Sequence, residues 1–215
     1  MNEEKSSMKI EIWSDIVCPW CYIGKRRLER ALEDAGEDVA VVWRSFELDP
    51  SAPTEPIDRL DEALAGKYGT TVEEARGMMD RMTQTAAAEG LDLRFDLARR
   101  GNTFDAHRLL HFARTRDLQP EMKERLFRAY MTEGRAISDR EELARLAGEV
   151  GLDADEVRAM LEGDELADEV RRDQARAREI GIRGVPFFVF DDRLAVSGAQ
   201  PSEVFASALR QAREA

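Results

Sequence analysis

Soft metal ligands are scarce in this chain, whose 215 residues include two cysteines and two histidines. One cysteine pair closes at most one bridge, so a scaffold stapled by several disulfides is excluded. Long apolar runs are missing too. The longest, VAVVW and FFVF, suit strands and fall far below the roughly 18 residues of a membrane-spanning segment. Positive charge is in deficit, with 32 Lys and Arg against 44 Asp and Glu and a formal net charge of −12. That balance argues against nucleic acid and membranes as partners. The opening residues, MNEEKSSM, lead into no apolar segment of the kind a secretory signal has. The expected location is therefore cytoplasmic, where a cysteine pair is expected to turn over and not to serve as a staple. What the chain does have is 43% hydrophobic and 35% charged residues, the balance of a globular protein able to bury a sizeable core.

Both cysteines fall in Cys18-Pro19-Trp20-Cys21. Upstream, Lys9 to Trp13 alternate polar and apolar, the period of a strand. Downstream, Leu28, Ala31, Leu32 and Ala35 follow helical spacing and Gly36 is a natural stop. Pro19 suits the first turn of that helix, which puts Cys18 at its N-terminus. Unpaired N–H groups and the helix dipole favour an anion there, so Cys18 is expected to hold a thiolate with a pKa below about 8.5. Cys18 is then the attacking sulfur, and Cys21 stays protonated until it resolves a mixed disulfide. The competing reading is half a zinc site completed by His107 and His111, which stand at chelating i,i+4 spacing. Their distance along the chain is far outside finger spacing, and no metal is expected.

Val39 to Phe46 reads as a second strand and Ser51 to Pro56 as a linker. From Ile57 to about Ile180, five or six helices are expected. Their start signals are Thr70 or Thr71 with Glu73 or Glu74, Asn102 before Phe104, Ser138 with Glu141, and Asp153 with Glu156. Met122, Leu126, Phe127 and Tyr130 give one of them an apolar face. Strand chemistry returns at Val185 to Phe190 and at Leu194 to Ser197, joined by Asp191-Asp192 as an antiparallel hairpin. Pro201 then opens a helix over Ser202 to Ala212. Trp13 and Trp43 read as core and Trp20 as a partly exposed contact surface. Lys25, Arg26 and Arg27 read as a solvated helix face, and Asp15 as a turn residue before it is a proton partner. Pro186 is open between an ordinary strand-opening proline and a cis peptide, the latter costing only about 0.5–1 kcal/mol before proline.

The segments SDIVCPWCYIGKRRLERAL, ELDP, NTFDAHRLLHFA, EGRAISD, GIRGVPFFVF and SGAQP, in that order, resemble the DsbA-like thioredoxin-fold family. They are most similar to its cytoplasmic FrnE-like branch, which is related to 2-hydroxychromene-2-carboxylate isomerases. The resemblance implies an α/β, thioredoxin-like fold with an all-helical domain inserted between β-α-β and β-β-α halves. Residues 8–55 and 181–215 would form the thioredoxin-like unit and 56–180 the helical insertion. It also implies a cis Val185-Pro186 peptide against the disulfide and a substrate surface of Pro19, Trp20, Val185, Pro186 and His107, with Cys18 and Cys21 catalytic. A histidine at 107 is otherwise a satisfied core residue, and His111 more so.

The implied activity is thiol–disulfide oxidoreduction on a protein or small-molecule thiol or disulfide, reset by glutathione or a thioredoxin-type reductant. The alternative is a glutathione-dependent isomerase or transferase acting on a small aromatic or polyketide-like substrate. A third reading is a holdase for unfolded chains. No cofactor is expected beyond glutathione as a co-substrate. Two departures limit the resemblance. Pro-Trp stands where periplasmic relatives commonly have Pro-His, so their oxidising poise does not transfer, and a second, C-terminal thiol pair is absent.

Overall fold

Alternation along Met8–Ser14 sends Ile10 and Ile12 to one side of a strand and Glu11 and Trp13 to the other, and all four are fully buried. A strand covered on both faces lies inside a sheet with helices above and below it. The computed structural model, which describes residues 8–36, 39–57 and 60–214, places this strand, β1, in that position. It is followed by α1 (Pro19–Ala35) and β2 (Val39–Ser45). Then come α2 (Leu60–Tyr68), α3 (Val72–Ala87), α4 (Phe104–Arg114), α5 (Gln119–Met131), α6 (Arg140–Glu149), α7 (Ala154–Glu162) and α8 (Ala167–Glu179). The chain closes with β3 (Phe187–Phe190), β4 (Leu194–Ser197) and α9 (Ser202–Glu214).

The sheet order is β2-β1-β3-β4. β1 runs parallel to β2, with Ile10 opposite Val41, and antiparallel to β3, with Ile12 opposite Phe188. β3 and β4 form the expected antiparallel hairpin. On one face Ile10, Ile12, Phe188 and Phe190 pack under Leu28 of α1 and Phe205 and Leu209 of α9. On the other, Trp13 and Val189 meet Ala177 of α8 and Ile182. The fold is thus α/β and thioredoxin-like, interrupted by a helical insert.

The insert has its own apolar centre, but that centre does not stop at the insert. Leu109, Leu126, Phe127 and Leu143 share one buried cluster with Cys18, Cys21, Tyr22 and Ile23. The sulfurs therefore lie in the seam between the thioredoxin-like sheet and the helices. A second seam closes the open edge of β2. Trp43 N–H donates to Gln119 Oε1 at 3.0 Å, and Gln119 Nε2 donates back to the Trp43 carbonyl at 3.1 Å. One amide side chain of α5 thus takes the place of a neighbouring strand.

Some expected boundaries and caps hold and others are corrected. Seven helices, not five or six, separate β2 from β3 among the described residues. β2 ends at Ser45 and β3 begins at Phe187, after Val185-Pro186, which is cis. Thr71 and Glu74 form a full capping box, and Asp153 caps α7 by accepting from Asp155 and Glu156 N–H. α6 is capped by Asp139 and not by Ser138, because the carboxylate reaches the Glu141 and Glu142 N–H groups. Asn102 accepts from Phe104 N–H at 2.8 Å, although the cap position itself is Thr103.

Candidate thiol site

Cys18 is the N-cap of α1, with extended backbone (φ −92°, ψ 110°), and Pro19 occupies the first turn. Both cysteines are free thiols. Cys18 keeps 5% of its surface open and Cys21 1%, while Trp20 between them is 42% exposed. Across from α1, the Cys18 thiol donates to the Val185 carbonyl at 3.6 Å. That approach depends on Gly24: a Cβ there would come within 3.1 Å of both Pro186 Cγ and Phe188 Cζ. A mid-helix glycine costs about 1 kcal/mol relative to alanine. Here it lets α1 lie directly on the cis-proline loop. Cys18, Pro19, Trp20, Cys21, Val185 and Pro186 are thereby gathered in one place.

Behind the sulfurs lies a layer of buried polar groups. Asp15, wholly buried, accepts from Ile16 N–H at 2.8 Å and from Leu48 N–H at 2.7 Å. Its Oδ1 lies 3.3 Å from His107 Nε2. Burial disfavours the Asp15 carboxylate, but His107, the Leu48 N–H and Lys123 outweigh it and hold the group below the usual carboxylate range. Three buried atoms in this layer have no hydrogen-bond partner: Ser14 Oγ, His107 Nδ1 and Lys123 Nζ. The Lys123 ammonium sits 4.6 Å from the Phe127 ring centre and 5.2 Å from that of Trp43. Burial pushes its pKa down to about 8, against the pull of Cys21, Asp15 and Cys18.

The sulfurs titrate as a pair. Burial raises Cys21, but contact with the Cys18 thiol, the Ser14 hydroxyl and Lys123 outweigh it and draw it below the ordinary thiol value. Cys18 is pushed well above that value, first by its contact with Cys21 and then by burial. This revises the expectation that Cys18 alone takes the low value. The helix N-terminus is one donor among several, and the single negative charge belongs to both sulfurs, favoured by their mutual contact, the Ser14 hydroxyl and Lys123.

Other sequence-derived residues are redistributed. His107 is fully buried and reaches the sulfurs only through Asp15, which is a turn acceptor and an ionic partner at once. His111 points elsewhere, to Ser45 and Asp173. Lys25, Arg26 and Arg27 are not a solvated face. Lys25 and Arg26 are drawn to Glu124 of α5 and Arg27 to Glu89 beyond α3, so they fasten α1 to the insert. Lys123 and Gly24 escaped sequence reasoning. The available signals were a lysine on the apolar stripe of Leu126, Phe127 and Tyr130, and a glycine inside a helix.

Comparison with known proteins gives the family and the fold. The model of the DSBA-like thioredoxin domain matches residues 9–210. The uncharacterized protein YwbO of Bacillus subtilis (strain 168) is 31% identical over 206 residues, covering 94% of this chain and 96% of that protein. The crystal structure of a probable DsbA oxidoreductase from Streptomyces coelicolor superposes with a TM-score of 0.90 at 46% identity, covering 96% of this chain and 90% of that one. The cytosolic disulfide reductase DsbM from Pseudomonas aeruginosa shares the fold, with a TM-score of 0.70 at 22% identity over 96% of this chain and 100% of its own.

Proposed function

The chain belongs to the DSBA-like thioredoxin domain family, and on that premise we propose that it is a thiol–disulfide oxidoreductase in which Cys18 attacks and Cys21 resolves. The observation that carries the reading is the placement of Cys18 at the start of α1 against the Val185 carbonyl, with Cys21 in the next turn and slightly more buried. Passing the shared proton from Cys18 to Cys21 gives the Cys18 thiolate. This attacks a substrate disulfide, one S–S bond forming as another breaks, and the leaving sulfur takes up a proton. Cys21 then displaces the second substrate sulfur from Cys18 and closes the intramolecular disulfide. An external thiol reverses the sequence, so the same site can reduce or oxidise.

Trp20 and the Val185-Pro186 backbone offer the substrate an apolar contact and strand-like hydrogen bonding. Glutathione or a thioredoxin-type protein is the proposed reductant. A structure of the DsbM reductase with GSH supports the first of these at the level of the fold. The proposed location is the cytoplasm; no helix among the described residues is long and apolar enough to cross a membrane.

The test is turnover of a disulfide reporter by Cys18→Ser and Cys21→Ser variants. Cys18→Ser is expected to be inactive, and Cys21→Ser to accumulate a mixed disulfide without completing the cycle. Full activity of Cys21→Ser would favour a glutathione-dependent isomerase or transferase. Indifference to both substitutions would leave a binding protein.

A further inference from the structure

We propose that Lys123 is the positioning residue of the sulfur pair: its ammonium, supplied by the helical insert, is the counter-charge of the thiol–thiolate. The proposal rests on the reading of Cys18 and Cys21 as a redox pair. Lys123 has no exposed surface, and its Nζ has no hydrogen-bond partner. The faces of Phe127 and Trp43 hold it as a cation, and Phe127 in turn stacks on Tyr22, the residue after Cys21, at 4.7 Å. An amine enclosed in this way is costly unless an anion comes within reach.

Its charged surroundings are few. The loop after β1 presents Asp15, whose oxygens already accept from two backbone N–H groups and approach His107 of α4. α1 presents Cys18 and Cys21 as anions and Lys25 as a like charge. The sulfur pair is thus the partner that appears and disappears. Ser14 Oγ and His107 Nδ1, also unpartnered, lie in the same layer, so the corner holds unused hydrogen-bonding capacity when the sulfurs carry no charge.

Reduction then has a defined balance. An external dithiol gives two electrons and becomes a disulfide, and the Cys18–Cys21 bond breaks. Of the two protons the dithiol releases, one stays on the sulfur pair. The other goes to Lys123 where that amine was neutral, or to solvent where it was already charged.

Lys123→Met keeps the length and apolar stem of the side chain and removes the charge. The pH profile of Cys18 alkylation is expected to move up by at least one unit, with about tenfold slower alkylation at neutral pH. The equilibrium constant against a glutathione buffer is expected to shift about tenfold toward the disulfide, about 30 mV for two electrons. Thermal stability is expected to hold or rise, and Lys123→Arg to retain the native profile. An unchanged alkylation profile in Lys123→Met overturns the proposal. Should that variant not fold, the ε-amine of the unaltered protein is followed by NMR. A higher titration midpoint in the reduced than in the oxidised form supports the counter-charge, and equal midpoints overturn it. Neither readout needs a substrate, so a protein that fails to turn over disulfides yet shows these shifts would refute the function and leave Lys123 in its place.

Discussion

His107 and His111 stand one turn apart on α4, yet they end in two buried charged clusters of opposite character. His111 Nε2 lies 3.0 Å from Asp173 Oδ2 and 3.1 Å from Ser45 Oγ. Asp173 also accepts from Ser45 N–H at 2.9 Å and pairs with Arg44 at 3.1 Å. Arg44 reaches the fully buried Glu11, to which Arg176 and Lys9 also turn at 3.2 and 3.3 Å. Both buried carboxylates there are met from several elements, and the cluster fastens α4 and α8 to the sheet. Around His107, by contrast, Asp15 is met but Ser14 Oγ, His107 Nδ1 and Lys123 Nζ are not. A buried polar group without a partner costs about 1–3 kcal/mol. The fastening cluster leaves one such atom, Arg176 Nε, and the corner beside the two thiols leaves three; carboxylates met on several sides suit fastening, and the emptier corner has room for a charge that comes and goes.

The largest effect that can break this contrast is expected from Asp173→Ala. It strands the Ser45 N–H, removes the carboxylate from His111 and leaves Arg44 with Glu11 alone, and should cost about 3–5 kcal/mol in denaturant unfolding while leaving the thiol alkylation profile alone. A loss below about 1 kcal/mol would mean that the paired cluster is not what holds the insert. The acid limb adds a check. Burial raises Asp173, but His111, the Ser45 N–H and Arg44 outweigh it and hold the carboxylate below its ordinary value. Its contribution is therefore complete above the unfolded value of about 3.9 and is lost as pH falls through the folded one. Asp173→Ala should flatten the acid limb that the unaltered protein shows.

The contrast also marks what the sequence made legible. The strand before the cysteines, the helix after them and the final hairpin are written in residues close together along the chain, and each formed there, with the hairpin's first strand shortened to start at Phe187. The cap of α6 moved from Ser138 to Asp139 because both residue types can cap and only geometry chooses. What stayed hidden depends on partners far along the chain. Lys25 and Arg27 read as solvated because Glu124 and Glu89 lie in other elements. Lys123 had a local signal, since it shares a stripe with Leu126, Phe127 and Tyr130. A lysine on such a stripe is ordinarily one whose charged end reaches water past the apolar edge. Here that end meets Phe127 and Trp43 instead, because Gln119, one turn earlier on α5, binds the helix to the edge of β2.

An intermediate effect lies at the alkaline end. Lys123 is pushed down to about 8, whereas an unfolded lysine titrates near 10.4. Between those values the unfolded chain binds the extra proton, so stability rises with pH, by about 1 kcal/mol per unit. The measurement belongs on the disulfide form, where the sulfurs do not titrate, with Lys123→Met as reference. Without the sulfur anions that hold it up, the amine titrates lower still in that form, so the difference in unfolding free energy between the two should already be growing at about pH 8 and keep growing toward about pH 10. A flat difference would put Lys123 in the paired class with Asp173.

The smallest effect is the sharpest on the meaning of an unmet group. Ser14 Oγ is buried, has no partner within full hydrogen-bond geometry, and stands near enough to Cys21 to favour its anion. Ser14→Ala removes a hydroxyl whose burial is uncompensated, so unfolding free energy should stay within about 0.5 kcal/mol of the native value or rise slightly. The alkylation midpoint should nonetheless move up by a fraction of a unit, since the charged pair loses one favourable dipole. Asp173→Ala is expected to move stability and leave the thiols unchanged, and Ser14→Ala to do the reverse. If Ser14→Ala instead cost more than about 1 kcal/mol with no change in the thiols, the hydroxyl would be a structural partner, and the division between a fastening cluster and a reactive one would fail at its weakest member.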